Sequence, residues 1–341
     1  MLEFTKHEFF FVLRAMKTNM TLSQDSHAIL IFCSHLALPE GLSPFTLREW
    51  NPLARKLKAA SLRPADLVEG SLSNVQTRLN LSEEDCARIK QLIDRDHELT
   101  DELNRLQSLG IYPLTRDTSD YPERFRFRLN DSAPMVLFYA GEKALLGQPG
   151  IAVVGSRHLD DAGIECAAFV GNACGMSGLV LYSGGAKGVD TISMESALEA
   201  RGTAVGVLAD SLERTVRGQK DALRRGDLCL VIPYNPNAGF SVGAAMGRNR
   251  LIYTLADYAI VIASDAETGG TWAGATEALK NNWVPVFALE HEKMSEGNKL
   301  LLLKGALAFP HPFKEHPSKL QAWLKDKTNS LPSQPTQPNL I

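Results

Sequence analysis

Between about residues 110 and 313 the chain alternates short, nearly unbroken apolar runs with longer segments in which apolar positions recur every three or four residues. The runs at 136–139, 151–154, 179–182, 204–208, 228–232, 258–263 and 284–289 lack the polar alternate positions of a strand with one wet face. They predict a buried, mostly parallel sheet covered on both sides. Helices are expected between them at 162–176, 191–200, 213–224, 241–255 and 272–280, giving a repeated β-α order with right-handed crossovers. Residues 1–106 read differently: they are helical throughout, with no strand alternation. Helix starts are marked by Thr21-Leu22-Ser23-Gln24, opening a helix through Leu38, and by Ser43-Pro44, Arg63-Pro64-Ala65-Asp66 and Ser82-Glu83-Glu84. Leu42, Phe45, Leu47, Leu53, Leu57, Leu67, Val75, Leu79, Leu81, Ile89, Leu92 and Ile93 would form the core of this small all-α domain. Beyond residue 316 the composition turns polar, ending in a Ser-, Pro- and Gln-rich stretch expected to be disordered. Three parts are therefore expected: a helical domain over 1–106, an α/β domain over 107–315 and a tail over 316–341.

Composition narrows the class without deciding it. With 341 residues, 44% of them hydrophobic, the chain can fill two cores. A net charge of −3 excludes a surface uniformly coated in basic residues, so any polyanion must be held by a local patch. The five cysteines form no CxxC pair and stand in apolar surroundings, as free thiols do in a reducing cytoplasm. No metal site and no cofactor is expected. The start carries charged residues among aromatics rather than a secretory leader, and the apolar helix at 28–38 is too short to span a bilayer, so a cytoplasmic protein without membrane contact is expected.

The candidate chemistry lies where strands give way to small residues. Gly155-Ser156-Arg157 follows the run at 151–154, and Ser183-Gly184-Gly185-Ala186-Lys187-Gly188-Val189-Asp190 follows the run at 179–182. Such turns stand at the carboxyl edge of a parallel sheet, where glycine admits a phosphate close to the backbone and the next helix offers unpaired N–H groups. Arg157 can form two hydrogen bonds to an oxyanion, and Lys187 can reach across its turn as a mobile point charge. Asp190 would repel an anion. It is expected to cap the following helix or to accept a sugar hydroxyl. Gly247-Arg248-Asn249-Arg250 lies on a helix, where adjacent side chains diverge by roughly 100°, so one arginine should face the cleft while the other pairs with an acidic neighbour. Thr268-Gly269-Gly270-Thr271-Trp272 offers a second ring of backbone donors. His158, beside Arg157, reads as a solvated loop histidine.

The order of these four stretches resembles the DprA/Smf family of DNA-processing proteins. There the corresponding stretches are a Gly-Ser/Thr-Arg turn, a Ser-Gly-Leu-Ala-Arg-Gly-Ile-Asp turn, an Arg-Asn-Arg before a helix and a Ser-Gly-Ser/Thr turn. Tyr112 to Asp117 and Asp120 to Arg124 look like the family's lead-in. The resemblance implies an extended Rossmann-like domain preceded by a module of the sterile-alpha-motif or helix-hairpin-helix kind. It also implies a homodimer that binds single-stranded DNA without bond chemistry and delivers a RecA-type recombinase to it during uptake or recombination. The chain departs from the family at Lys187, where an arginine is usual, and at Met194, where a histidine is common, and residues 317–327 are expected to hold at most one short helix rather than the family's C-terminal winged helix; another duty, such as defence against foreign DNA, stays open.

Two further basic groups stand out. Arg217, Lys220 and Arg224 would share one helix face, flanked by Arg214 and Arg225. Arg124, Arg126 and Arg128 would line one side of an extended segment, with Tyr112, Phe125 and Phe127 as aromatic neighbours for bases or for a core. The competing function is a nucleotide sensor, or a phosphoribohydrolase similar to the LOG type, with Glu277 as acid/base and Arg248 as phosphate clamp.

Overall fold

The computed structural model describes residues 22–330. Among the described residues six helices come first: α1 (Gln24–Cys33), α2 (Leu47–Ala59), α3 (Asp66–Glu69), α4 (Leu72–Leu79), α5 (Glu83–Asp94) and α6 (Asp96–Ser108). The Ser23 hydroxyl accepts the Ser26 N–H and caps α1. That helix stops at Cys33 rather than Leu38. The Arg95 guanidinium, buried among the last carbonyls, donates to the carbonyl oxygens of Ile31 (2.5 Å), Ser34 (3.2 Å) and Leu36, and so replaces the next turn. Phe32 stacks on Trp50 at the centre of the module and Phe45 meets both rings at a steep angle, with centroid separations of 5.7 to 6.4 Å.

Nine strands then build one sheet in the order β1-β2-β6-β5-β4-β3-β7-β8-β9. They are β1 (Ile111–Thr115), β2 (Val136–Gly141), β3 (Gly150–Val154), β4 (Val180–Ser183), β5 (Thr203–Val207), β6 (Leu228–Ile232), β7 (Tyr258–Val261), β8 (Val286–Glu290) and β9 (Leu307–Pro310). From β6 through β9 all pairing is parallel; β2 joins β6, and β1 joins β2, antiparallel. The period of two sends Ile151 and Val153 to one apolar layer and Ala152 and Val154 to the other, and helices cover both. The first layer runs without interruption from the helical module through α8 (Asp161–Ser177) and α9 (Val189–Glu199). The second is covered by α7 (Glu123–Leu129), α12 (Val242–Leu255), α13 (Gly269–Lys280) and α14 (Glu296–Leu303).

Three expectations change. Residues 213–224 are two helices, α10 (Leu212–Gly218) and α11 (Lys220–Arg225), broken at Gln219, so Arg217, Lys220 and Arg224 do not share one helix face. Residues 124–128 are helical, and their arginines bind the interior of the fold: Arg124 pairs with Asp257 (2.7 Å), Arg126 donates to the Arg116 carbonyl and Arg128 to the carbonyls of Thr254 and Ala256. The tail expected from residue 316 is ordered as far as α15 (Leu320–Asn329). Its Leu320 and Leu324 are fully buried, and Trp323 meets Phe287, Phe309 and Phe313 at 5.3 to 5.8 Å. The expected disorder of residues 331–341 and the helical reading of residues 1–21 fall outside the described residues.

Candidate functional site

The sheet reverses its order of growth at β3: the chain proceeds outward through β4, β5 and β6, then returns to the other side of β3 as β7. The loops leaving β3 and β7 diverge from this point and open a crevice, the usual ligand position in such sheets. The crevice has a volume of about 690 Å³ and is walled by Gly155 to His158, by Ala186 and Asp190, by the first half of α12, and by Asp265 and Glu267 to Ala273.

Backbone contacts hold the loop tips together. The Ser156 N–H donates to the Ala263 carbonyl (2.8 Å), which ties the β3 loop to the β7 loop, and the Ser156 hydroxyl accepts the His158 N–H (3.2 Å). Gly188, at φ +87°, lies so close to the β3 loop that a Cβ would stand 2.7 Å from the Ser156 oxygen and 2.8 Å from the Arg157 Cα. A positive φ and that approach together require glycine. The β4 turn therefore packs against the β3 loop; Arg157 lines the crevice, while Lys187, exposed on the same turn, does not. Thr268, in extended conformation, precedes α13, whose first residues, Gly269 to Thr271, turn towards the crevice. Glycines Gly184 and Gly185 complete the β4 turn. Ser183 is fully buried, and its hydroxyl donates to the Val153 carbonyl (2.7 Å), so it braces neighbouring strands.

The arginine triplet divides. Arg248 is 6% exposed and lies in the crevice wall over Gly184, close to the carboxylate of Asp190. Burial pushes the Asp190 carboxyl above its ordinary range, opposed by the charge of Arg248; burial lowers Arg248 in turn, opposed by Asp190. Arg248 is therefore a wall residue rather than an open phosphate contact. Asp190 sits within the first turn of α9 and accepts the Ala186 N–H (3.2 Å); the cap position belongs to Gly188. Asn249 lies against Gly270, and Arg250 points out of the crevice towards the helical module. Glu277 is exposed on α13 and does not line the crevice, so the pair expected for phosphoribohydrolysis is not assembled there.

Apolar and aromatic residues at the mouth escaped the reading of the sequence. Phe240, Val242 and Met246 are 56%, 66% and 46% exposed, and all three border the crevice. Arg157 lies over the Phe240 ring, its guanidinium carbon 5.9 Å from the centroid. The only signal for them was an apolar cluster beside a glycine-rich turn with no partner at core spacing.

Residues 113–315, more than half of the chain, match the family model of DNA recombination-mediator protein A. The chain belongs to this family. Within the DNA recombination-mediator family, it is similar to protein Smf of Synechocystis sp., with 29% identity over 163 residues that cover 46% of this chain and 40% of that protein. It is also similar to the DNA processing protein DprA of Streptococcus pneumoniae, with 38% identity over 81 residues, covering 24% of this chain and 28% of the relative. The chain thus spans less than half the length of these curated relatives. The crystal structure of the pneumococcal protein shares the fold, with TM-score 0.65 and 22% identity over 85% of this chain and 95% of that one. So does DNA processing protein A of Helicobacter pylori, whose structure concerns its single-stranded DNA binding mode, with TM-score 0.52 and 22% identity over 64% and 96%. The four glycine- and arginine-bearing stretches all fall inside the matched family region. The helical module, described from residue 22, lies outside it.

Proposed function

We propose that this chain binds single-stranded DNA during DNA processing and recombination, holding the strand at the mouth of the switch-point crevice without cleaving it. The observation that carries this reading is the mouth itself: Arg157 over the exposed ring of Phe240, with Val242 and Met246 at the lip and Lys187 exposed on the adjoining β4 turn. Polynucleotide strands are held by cations that follow phosphates and by flat apolar surfaces that stack bases, and this rim supplies both. The turn Thr268 to Thr271 at the start of α13 offers backbone donors to a phosphate, while the Gly155-Ser156 turn, tied to the β7 loop, holds Arg157 in place at the mouth. Family membership and the described binding mode of the Helicobacter pylori protein support the same choice of ligand. By the same kinship, the bound strand would be passed to a RecA-type recombinase by a homodimer of this protein in the cytoplasm.

Anisotropy titrations with labelled single strands, duplex and mononucleotides across a salt series test the reading. Single strands should bind tightest, with an affinity that falls as salt rises. Arg157→Ala and Lys187→Ala should each weaken binding and flatten the salt slope by about 0.7 per lost phosphate contact. Parental binding by both variants would remove the crevice mouth as the site.

A further inference from the structure

We infer that a second phosphate-binding position, built from Arg48 of the helical module and Arg250 of α12, lies where the two meet, and that a polynucleotide strand leaving the crevice passes over it. This rests on the crevice mouth being the primary strand site. A separate cavity of about 450 Å³ opens between α2 and α12, lined by Arg48, Asn51, Arg55, Asp131, Ser132 and Arg250 among others. Three arginines face one carboxylate there. Asp131 is taken by Arg55 (2.9 Å), which leaves Arg48 and Arg250 with their charges unmatched.

Both arginines are poorly satisfied. The Arg250 Nε is buried with no hydrogen-bond partner, and one amino group makes a 3.4 Å bond to the Ser132 carbonyl. Arg48 is exposed and has neither a hydrogen bond nor an ion pair among the described residues. It also stands in the first turn of α2, where a cation adds to the positive end of the helix dipole. The neighbouring Glu49 cannot relieve it, because its carboxylate is engaged by Arg88 (2.7 Å) and by Thr46. An anion in the cavity would satisfy the Arg250 donors, offset the dipole and supply the missing charge at once.

Why a strand rather than an isolated phosphate follows from the helix. Arg248 borders the crevice and Arg250 borders the second cavity, and two residues on a helix diverge by about 200°. The crevice and the second cavity therefore lie on opposite sides of α12, and a strand leaving the mouth must pass round that helix to reach Arg250. A ligand with regularly repeated phosphates can occupy both; a mononucleotide reaches only one.

The test uses the full chain with oligothymidylates of roughly 6 and roughly 20 nucleotides. Arg48→Glu, an exposed change that leaves the fold intact, and Arg250→Gln should each weaken the longer strand about tenfold and flatten its salt slope by about 0.7 per contact, leaving the shorter strand as in the parent. Arg157→Ala should weaken both lengths. Parental binding of the long strand by Arg48→Glu, or an equal loss at both lengths, overturns the second position. An Arg157→Ala protein that binds both lengths normally overturns the crevice reading instead. Inorganic phosphate at constant ionic strength separates the two sources of anion: it should leave the long strand bound, and if it reduces binding to the level of Arg48→Glu, the cavity is a free-phosphate site and the inference fails.

Discussion

The guanidinium of Arg248 occupies the space in which a side chain at Gly184 would stand, so the β4 turn and α12 fit together only because residue 184 has no Cβ. Gly184→Ala should push Arg248 away from Asp190 and destabilise the fold by about 1 to 3 kcal/mol. Urea unfolding measures this directly. An unchanged midpoint would mean that the guanidinium is free to move aside.

Phe240 offers a different handle, because its ring is exposed and contributes little to the core. Phe240→Ala should cost about 1 to 3 kcal/mol in single-strand binding, the range of one stacked base, while the thermal midpoint stays at the parental value. Phe240→Tyr should retain most of the affinity, since it keeps the flat face under Arg157.

Leu324 is fully buried where α15 closes over β8 and β9. Leu324→Ala should lose about 3 kcal/mol of stability through the cavity it leaves. Differential scanning calorimetry should show one cooperative transition at a lower temperature; an unaltered transition would mean that α15 is not part of the folded unit.

Acid stability should depend in part on Glu49. Its hydrogen bond from Arg88 lowers the carboxyl from 4.5 to about 2, against the opposing effect of burial. A carboxyl lowered on folding contributes stability above its unfolded value and loses it as pH falls towards the folded one. Glu49→Gln should therefore be less stable than the parent above pH 4.5, with the gap closing towards pH 2. With the Glu49 side chain 43% exposed, solvent screening holds that gap to about 1 kcal/mol or less. Equilibrium unfolding at a series of pH values reads it.

The sheet was legible because strands buried on both faces must be apolar at every position, and that leaves an unmistakable pattern. The strands at its rims were not. β1 contains Pro113, which an edge strand tolerates because one side of it needs no ladder hydrogen bond, and β9 is only four residues long. The segment from Glu123 to Leu129 was ambiguous, since alternate arginines fit a strand and three-residue spacing fits a helix; what decides it is the set of carbonyls on α12 and its C-terminal end that Arg124 and Arg128 reach. At the crevice, the loop tips could be placed from the β-to-α order alone. The burial of Arg248 could not, because it depends on a glycine more than sixty positions away and on a carboxylate from a third element. The divergence of Arg248 and Arg250 was legible from helical geometry alone, but Arg250 meets no acidic partner among the described residues and faces the helical module instead, a neighbour from a distant stretch of the chain.

The uninterrupted apolar layer that joins the first six helices to the sheet has a consequence for how this family is divided into parts. Phe32, Trp50 and Leu106 belong to the same buried continuum as Phe138 and Ile151, so no plane of weakness separates the matched region from what precedes it. A polypeptide begun at residue 113 would present that bare surface to water and seek other molecules to cover it. Here the apolar layer extends well beyond the stretch that carries the family match.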